Sequence, residues 1–544
     1  MTTEATEGCR GDLEFGTIAG LVGVAARRYG AAVAVEDGEV SLSFEGLSLE
    51  ARRAARGLMA LGVDRGDCVA IWAPNMWEWI VAALGVHLCG AVLIPINTRY
   101  KGIEAADLIG RGRAKALLTV AGFLGTDYVA LLRGSGVALP DLGAIVVMRG
   151  SGEAAPDGVL SWERFLADGE GIDEAELAAR EGEVSGEDLS DILFTSGTTG
   201  APKGAMCTHA QSLRAYRDWS EVVGLRRGDR YLVVAPFFHC FGYKAGWLAA
   251  LMMGATVLPQ AVFDVGAVLA RVERDKVTVL PGPPTLYQMI LGHPELGARD
   301  LSSLRLAVTG AAVIPVELIE RMRRELAFER VITGYGLTEA CGIATMCRHD
   351  DDPETIALTS GRAIPDVEVL VVDAQGKEVP RGEPGEVVVR GYNVMLGYLD
   401  DPEGTDVAIG RGGWLDTGDI GIMNDRGYLR ITDRKKDMFI MGGFNVYPAE
   451  LERLMLINES LTQVAVIGAP DPTMGEVGVA FVVPRAGAEV DEASLIAWCR
   501  AHMANFKVPR RIFVVDSLPL NAVGKVQKFV LRQRLAEATG PEPA

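Results

Sequence analysis

The chain has 544 residues, a mass of 58.0 kDa and a formal charge of −19, from 53 basic and 72 acidic residues. This length predicts about three to four structural units and excludes a single small domain. Hydrophobic residues make up 49% of the chain and charged residues 23%, which is typical of a globular protein and excludes extensive disorder. An isoelectric point near 4.9 argues against nucleic acids and anionic membrane surfaces as partners.

The beginning of the chain, MTTEATEGCRGDLEFG, is acidic and polar, unlike a secretory signal peptide. The longest apolar runs, 81–96 and 245–259, are shorter than the roughly 20 residues that a membrane span needs. The eight cysteines are scattered without C-x-x-C spacing, which favours reduced, buried thiols. These features predict a cytoplasmic protein with no membrane span. The oligomeric state stays open, with a homodimer as one possibility.

Apolar, β-rich runs alternate with amphipathic helical patterns over most of the chain. Continuous rather than alternating apolar strands indicate sheets that are covered by helices on both faces. The pattern therefore predicts the α/β fold class, with strands in 68–74, 91–96, 116–120 and 144–148 and helices over 47–61 and 316–326.

After about residue 365 the pattern changes to short strands separated by turns, in 367–373, 386–391 and 427–433. A mixed helix and strand pattern resumes after residue 437. We expect a large region over 1–435, made of two α/β subdomains and a small β-rich subdomain. A mobile α+β domain over 436–544 is expected to follow it.

Residues 191–204, DILFTSGTTGAPKG, carry the strongest chemical signal. An apolar strand runs into a loop of Gly, Ser and Thr that ends in Lys203. Such loops bind phosphate because backbone N–H groups and hydroxyls donate hydrogen bonds while the lysine neutralises charge. The loop is not a Walker A motif, since Pro202 precedes the lysine and Gly204 follows it.

The segment from Thr195 to Gly204 matches T-S-G-T-T-G-x-P-K-G, the signature of the adenylate-forming superfamily, at every position. This superfamily includes acyl-CoA synthetases, peptide-synthetase adenylation domains and firefly-type luciferases. The resemblance implies that Lys203 and the rest of the loop contact the nucleotide phosphates; the other loop residues are Thr195, Ser196, Gly197, Thr198, Thr199 and Gly200.

Further motifs follow in the order and spacing of the same family. PFFHCFG (236–242) resembles the segment whose histidine, here His239, lies beside the acyl pocket and the carboxylate. VTGAAVIP (308–315) resembles the adenine-binding turn and TGYGLTE (333–339) the motif after it. The implied nucleotide contacts are Gly310, Ala311, Ala312, Gly334, Tyr335 and Gly336, with Thr338 on the α-phosphate and Glu339 and Thr198 on Mg²⁺. At Thr333 many relatives carry Gln.

The later motifs resemble those that bind the ribose of the nucleotide and those that act in the transfer of the acyl group to coenzyme A. WLDTGDIG (414–421) implies that Asp419 accepts hydrogen bonds from the ribose hydroxyls, with help from Arg434. In the family, Lys436 occupies the hinge of a rotating C-terminal domain and Lys525 the position of the mobile catalytic lysine. The loop Gly442–Gly443–Phe444 would line the pantetheine tunnel after rotation.

The resemblance implies an ATP-dependent acyl-CoA synthetase that uses ATP, Mg²⁺ and coenzyme A. Lys525, Thr338, Glu339, His239 and Lys203 are its expected catalytic residues. No base is needed, because the substrate carboxylate itself attacks the α-phosphorus; the chemistry depends on alignment and charge neutralisation. A protein with this fold that binds nucleotide without turnover is an alternative from a different class.

The acyl pocket is expected in 237–247, FFHCFGYKAGW, which is aromatic and apolar and suits a bulky hydrophobic acid. The runs 236–265 and 280–296 resemble actinobacterial acyl-CoA synthetases of steroid breakdown that act on a bicyclic indane-propionate. Phe238, Tyr243 and Lys244 would line this pocket. Tyr243 and Lys244 either meet ring keto groups or are ordinary residues of the pocket rim. Medium- or long-chain fatty acids are the alternative substrates.

Overall fold

A computed structural model describes residues 10–150, 158–195, 202–310, 314–410, 412–434, 437–441, 444–471, 474–503, 505–521 and 525–539. The strands are numbered in chain order: β1 Val33–Asp37, β2 Val40–Ser43, β3 Cys68–Trp72, β4 Val92–Pro95, β5 Ala116–Thr119, β6 Ala144–Val147, β7 Leu160–Ser161, β8 Leu189–Thr195, β9 Lys203–Thr208, β10 Arg230–Val233, β11 Thr256–Pro259, β12 Leu306–Gly310, β13 Arg330–Tyr335, β14 Thr345–Met346, β15 Arg362–Ala363, β16 Val367–Val372, β17 Pro384–Gly391, β18 Gly397–Tyr398, β19 Leu415–Met423, β20 Leu429–Arg434, β21 Phe439–Met441, β22 Phe444–Val446, β23 Leu461–Asp471, β24 Gly475–Pro484 and β25 Arg511–Val514.

The α-helices are numbered in the same way: α1 Gly11–Phe15, α2 Ile18–Tyr29, α3 Phe44–Ala60, α4 Trp77–Leu88, α5 Gly102–Arg111, α6 Tyr128–Arg133, α7 Trp162–Asp168, α8 Glu174–Glu183, α9 His209–Val223, α10 Cys240–Gly242, α11 Ala249–Met253, α12 Val265–Asp275, α13 Pro284–Leu291, α14 Val316–Glu325, α15 Pro353–Leu358, α16 Pro402–Ala408, α17 Pro448–Met455, α18 Glu492–His502 and α19 Lys528–Thr539. A π-helix spans Tyr243–Leu248 and a 3₁₀ turn spans Thr338–Ala340.

The first large sheet has eight strands in the order β18-β9-β8-β4-β3-β5-β6-β7. Every residue of β4 and β5 is buried, as expected of strands that helices cover on both faces. Helix α9 follows β9 directly, and its N-terminus is closed by a capping box between Thr208 and Gln211. The cap fixes the direction in which the chain leaves the predicted phosphate loop.

The second large sheet consists of two four-stranded parts, β10-β11-β1-β2 and β12-β13-β14-β15. Val279 joins them through parallel bridges to Tyr231 and Leu306. The two sheets and their helices bury one continuous apolar core, which confirms the predicted α/β class.

Strands β16, β17, β19 and β20 form an antiparallel sheet, as the change of pattern after residue 365 predicts. The C-terminal part of the chain forms a separate five-stranded sheet, β22-β21-β24-β23, with β25 parallel to β24. This sheet has apolar clusters of its own on its two faces, around Phe439 and Phe481. The expectation of a large N-terminal part and a smaller α+β C-terminal domain is confirmed.

Seven of the eight cysteines lie in the described part of the chain, and all seven are free thiols, as predicted. Among the described residues, no helix is both long enough and apolar enough to cross a membrane.

Candidate active site

The predicted phosphate loop joins the antiparallel strands β8 and β9. Thr195 and Lys203 are cross-strand partners at its base, where the Thr195 hydroxyl donates to the Lys203 carbonyl at 3.3 Å. The hairpin therefore brings Lys203 back beside the end of β8. The loop residues Ser196, Gly197, Thr198, Thr199 and Gly200 lie outside the described residues.

Arg111, at the end of α5, contacts both sides of the loop base. Its Nη1 donates to the Pro202 carbonyl at 2.6 Å, and its guanidinium lies 5.2 Å from the Phe194 ring centroid. A cation over an aromatic face is stabilising. Sequence reasoning missed Arg111, because no local pattern links α5 to a loop 91 residues further along the chain.

The Lys203 ammonium has two neighbours that the sequence did not suggest. It lies 3.0 Å from Asp401 Oδ2 and 4.6 Å from the Tyr398 ring centroid. The Lys203 side chain is 44% exposed. The ammonium, first among the causes, lowers the pKa of Asp401 below its usual value. A phosphate that binds Lys203 therefore has to compete with this carboxylate.

Tyr398 connects Lys203 with the predicted metal ligand. Its hydroxyl donates to Glu339 Oε1 at 2.9 Å. Tyr398 itself pairs with Ala205 of β9, two residues after Lys203. The backbone carbonyl of Glu339 accepts from Met395 N at 2.8 Å. Glu339 is thus held through both its carboxylate and its backbone. A carboxylate beside phosphate oxygens is the ligand type that Mg²⁺ prefers.

Thr338 and His239 come from separate motifs and meet at Cys240. The Thr338 hydroxyl forms a hydrogen bond with the Cys240 thiol, while burial, the largest cause, raises the pKa of Cys240 to about 12. Cys240 directly follows His239. The structure therefore brings the expected carboxylate-binding and phosphate-binding motifs together.

The adenine and ribose motifs also converge. The Tyr335 hydroxyl donates to Asp419 Oδ2 at 2.6 Å, and Asp419 is the backbone register partner of Arg434 in the antiparallel pair β19 and β20. Gly310 and Gly334 are partners in the parallel strands β12 and β13. A Cβ at Gly310 would lie 2.9 Å from the Gly334 carbonyl oxygen, so this close approach favours glycine.

His239 lies where solvent can reach the ring, yet protein surrounds it on most sides. Nδ1 accepts a hydrogen bond from Phe241 N at 3.2 Å, which leaves the proton of a neutral ring on Nε2 as a donor. Desolvation, and then the positive charge of Lys525, lower the pKa of His239 to about 4. The ring is therefore neutral at pH 7, and the Lys525 ammonium lies close enough to contribute to this lowered pKa.

Lys525 is exposed, and its backbone is held by Asn521. Lys525 N donates to Asn521 Oδ1, and Asn521 N donates to the Lys525 carbonyl, both at 2.8 Å. These two hydrogen bonds fix the backbone of the lysine on the C-terminal domain.

Tyr243 and Lys244 do not meet the expectation that they contact the substrate. Both side chains are fully buried. The Tyr243 hydroxyl lies 3.0 Å from His87 Nε2, and the Lys244 ammonium lies 2.9 Å from Asp191 Oδ1. Their polar atoms are satisfied inside the protein, so the expected contacts with ring keto groups are wrong. Phe238, next to His239, is half-buried and stays a predicted pocket residue.

Several predicted residues cannot be placed. Ala311, Ala312, Lys436, Gly442 and Gly443 lie outside the described residues. The structure gives Arg434 and Phe444 positions in β20 and β22. Gly336 and Gly342 approach closely, since a Cβ on Gly336 would lie 2.2 Å from the Gly342 carbonyl oxygen.

The chain is similar to known proteins over most of its length. A family model described as "AMP-binding enzyme" matches residues 23–399, and "AMP-binding enzyme C-terminal domain" matches residues 450–525. The chain is 51% identical to 3-[(3aS,4S,7aS)-7a-methyl-1,5-dioxo-octahydro-1H-inden-4-yl]propanoyl:CoA ligase of Rhodococcus jostii, over 94% of this chain and 97% of that protein. It is 52% identical to the protein of the same name from Mycobacterium tuberculosis, over 88% and 91% of the two chains.

Among solved structures, the anthranilate CoA ligase AuaEII in complex with anthranoyl-AMP has a TM-score of 0.86 and 28% identity. The similarity covers 96% of this chain and 98% of that one.

Replacing Tyr398 with Phe tests the connection between Glu339 and Lys203. A hydrogen bond to a charged group contributes about 1.5 kcal/mol or more, so we expect the KM for MgATP to rise about tenfold. Steady-state kinetics with varied MgATP measure it. Tyr428→Phe is the matched control, because the Tyr428 hydroxyl donates to Asp351 at 2.6 Å, away from the residues described above. Equal effects of the two variants would contradict the assignment.

The neutral state of His239 can be measured by NMR titration of the labelled histidine rings, with His239→Gln to assign the signal. In the unfolded chain the His239 ring takes up a proton near pH 6.5, whereas in the folded chain it does so only near pH 4. Stability therefore falls as the pH drops through this window. Lys525→Met should raise the pKa of His239 only part of the way to its usual value, since burial is the larger cause. Lys528→Met, whose ammonium pairs with Glu452, should leave the titration unchanged.

Proposed function

The chain belongs to the AMP-binding enzyme family, and from this membership we propose that it joins a dioxo-indane propionic acid to coenzyme A. The enzyme is an ATP-dependent acyl-CoA synthetase, an acid–thiol ligase that forms AMP. Its substrates besides the acid are ATP and coenzyme A. The choice of acid rests on sequence identity to two relatives that are named for this activity. The chain is 51% and 52% identical to them over most of its length.

In the first half-reaction, an oxygen of the substrate carboxylate forms a bond to the α-phosphorus of ATP. The bond between the α-phosphorus and the bridging oxygen breaks, and pyrophosphate leaves with the electron pair. Lys203 and Lys525 neutralise the phosphates, and the His239 Nε2–H donates to the carboxylate. Asp419 accepts from the ribose hydroxyls. These roles rest on the convergence of Lys203, Glu339, Thr338 and His239 around one site.

Glu339 suits a hard cation because it offers carboxylate oxygen atoms beside the phosphate loop, and Thr198 stays the second predicted ligand. Glu339 would hold Mg²⁺ together with phosphate oxygens, and the bound cation supplies further neutralisation of the triphosphate charge. The Tyr398 hydroxyl keeps the Glu339 carboxylate in place for this role.

In the second half-reaction, the sulfur of coenzyme A attacks the acyl carbon, AMP leaves, and the thiol proton is released. We propose that residues 436–544 rotate about Lys436 between the two steps, so that Lys525 leaves the site and the loop 442–444 approaches it. The separate apolar clusters of the C-terminal sheet support rotation as a unit.

The oligomeric state and the location are separate questions. Size-exclusion chromatography with light scattering would decide between a monomer and a homodimer. The seven free thiols of the described residues support a cytoplasmic location.

A pyrophosphate-release assay with ATP, Mg²⁺ and a panel of acids tests the proposed substrate. We expect the indane-propionate to exceed fatty acids of 6 to 18 carbons by about tenfold or more in kcat/KM, since pocket fit contributes on this scale. A preference for fatty acids would overturn the proposed acid and favour the alternative. No release with any acid would instead favour a nucleotide-binding protein without turnover.

Lys525→Ala separates the two half-reactions. We expect pyrophosphate release to fall about a hundredfold or more, because a charge at the reacting phosphate is lost. Thioester formation from supplied acyl-AMP should continue at the wild-type rate. Lys528→Ala, on the same domain, is the control and should leave both steps unchanged. Equal losses in the two half-reactions of Lys525→Ala would contradict its role in adenylation.

A further inference from the structure

A buried ion pair links two segments of the site that the sequence treats as separate. Lys244 lies in the π-helix that follows His239, and Asp191 lies in β8, four residues before Thr195. Their charged atoms are 2.9 Å apart, and neither side chain is exposed at all. Burial, the largest single cause, acts to lower the pKa of Lys244, but Asp191 and then the neighbouring cysteines together raise it well above its usual value. Lys244 is therefore charged.

Stability alone does not explain this pair. Removing charges from water is costly, and replacing both partners of a buried ion pair with apolar side chains is often neutral or stabilising. The other carboxylate oxygen, Asp191 Oδ2, accepts a hydrogen bond from the Ser190 hydroxyl at 2.7 Å. A pair that is costly to build and sits between two parts of an active site points to a positional role.

Lys244 has a second contact, which leads to the predicted metal ligand. Its Nζ lies 3.5 Å from Cys341 Sγ, and Cys341 ends the 3₁₀ turn that contains Thr338 and Glu339. Cys341 has a φ of +55°, in the left-handed region, which a residue with a Cβ rarely adopts. Such strained backbone persists only where the surroundings hold it.

The surroundings of Cys341 hold it from several sides. Its carbonyl accepts from the Tyr216 hydroxyl at 3.0 Å, and Ser212 Oγ lies 3.8 Å from its sulfur. A hydrogen bond from the Cys207 thiol of β9 lowers the pKa of Cys341 and raises that of Cys207. The next residue, Gly342, also has a positive φ of 94°, and a Cβ there would lie 2.4 Å from the Tyr216 hydroxyl.

We infer that Lys244, anchored on Asp191, is a positioning residue that holds the left-handed Cys341 and thereby fixes the orientation of Thr338 and Glu339 toward the nucleotide. This inference rests on the proposed nucleotide-binding roles of Thr338 and Glu339. It replaces the expectation that Lys244 meets the substrate acid.

The test is binding of MgATP in the absence of the acid. Isothermal titration with Mg²⁺ and the non-hydrolysable α,β-methylene-ATP gives a Kd that does not depend on which acid is the substrate. We expect Lys244→Met to raise this Kd about tenfold and to lower the melting temperature. We expect Cys341→Ala to raise the Kd while leaving the ion pair in place.

The double variant Lys244→Met/Asp191→Leu separates positioning from stability, and it remains informative if Lys244→Met folds poorly. Neither charge is then left unpaired, so the melting temperature should recover toward that of the wild type. The contact with Cys341 is still missing, so the Kd should stay raised. Recovery of both quantities together would show a merely structural role and overturn the inference.

Arg305→Met is the matched control. Arg305 and Asp229 form another buried ion pair, at 2.5 Å, with side chains 7% and 3% exposed. Arg305 immediately precedes β12, whereas Gly310, a predicted nucleotide contact, lies at the other end of that strand. We expect a lower melting temperature with an unchanged Kd, and an equally raised Kd in this control would overturn the inference.

A wild-type protein that does not bind the analogue would overturn the proposed function itself, whereas normal binding by both Lys244→Met and Cys341→Ala would overturn only the positioning role.

Discussion

Repulsion among anions is the constraint on which this site depends. A carboxylate and a triphosphate have to meet inside a chain whose formal charge is −19. One of the local cations, Lys203, already lies 3.0 Å from Asp401 Oδ2. The structure meets the constraint by geometry: Tyr398 packs its ring against Lys203 and donates its hydroxyl to Glu339. Because these groups are oriented beforehand, little reorganisation is required when phosphate arrives.

The sheets explain why motifs that are far apart in sequence converge. Thr195 ends β8, Gly310 ends β12 and Tyr335 ends β13, so each motif spans the carboxyl end of a largely buried strand. Ligands in open α/β sheets bind at the carboxyl ends of the strands, and this site follows that rule. Strand β18 then adds a short antiparallel edge to β9 and carries Tyr398 to the phosphate loop. The antiparallel sheet contributes Asp419 from the other side.

The sequence predicts well what depends on local patterns. Apolar runs located β3 to β6, and the change of pattern after residue 365 located the antiparallel sheet. Contacts between distant segments were missed, because Arg111, Tyr398 and Asp401 lie outside the motifs used and carry no local signal. Lys244 was misread for the same reason: in an apolar run a lysine could face a ligand or an internal partner, and its partner lies 53 residues earlier in β8.

The internal pairing of Lys244 and Tyr243 changes how selectivity for an acid can arise. A site that hydrogen-bonds a substrate oxygen strongly rejects an analogue without it, because the buried polar group is then left unpaired. An apolar pocket discriminates much more weakly, on the order of 10- to 200-fold per methylene difference. Since Lys244 and Tyr243 bind partners within the protein, neither can supply the stronger mode for a dioxo-indane acid. Strong rejection of fatty acids would therefore require polar groups elsewhere in the acyl pocket, whereas modest rejection needs only the shape of its aromatic walls.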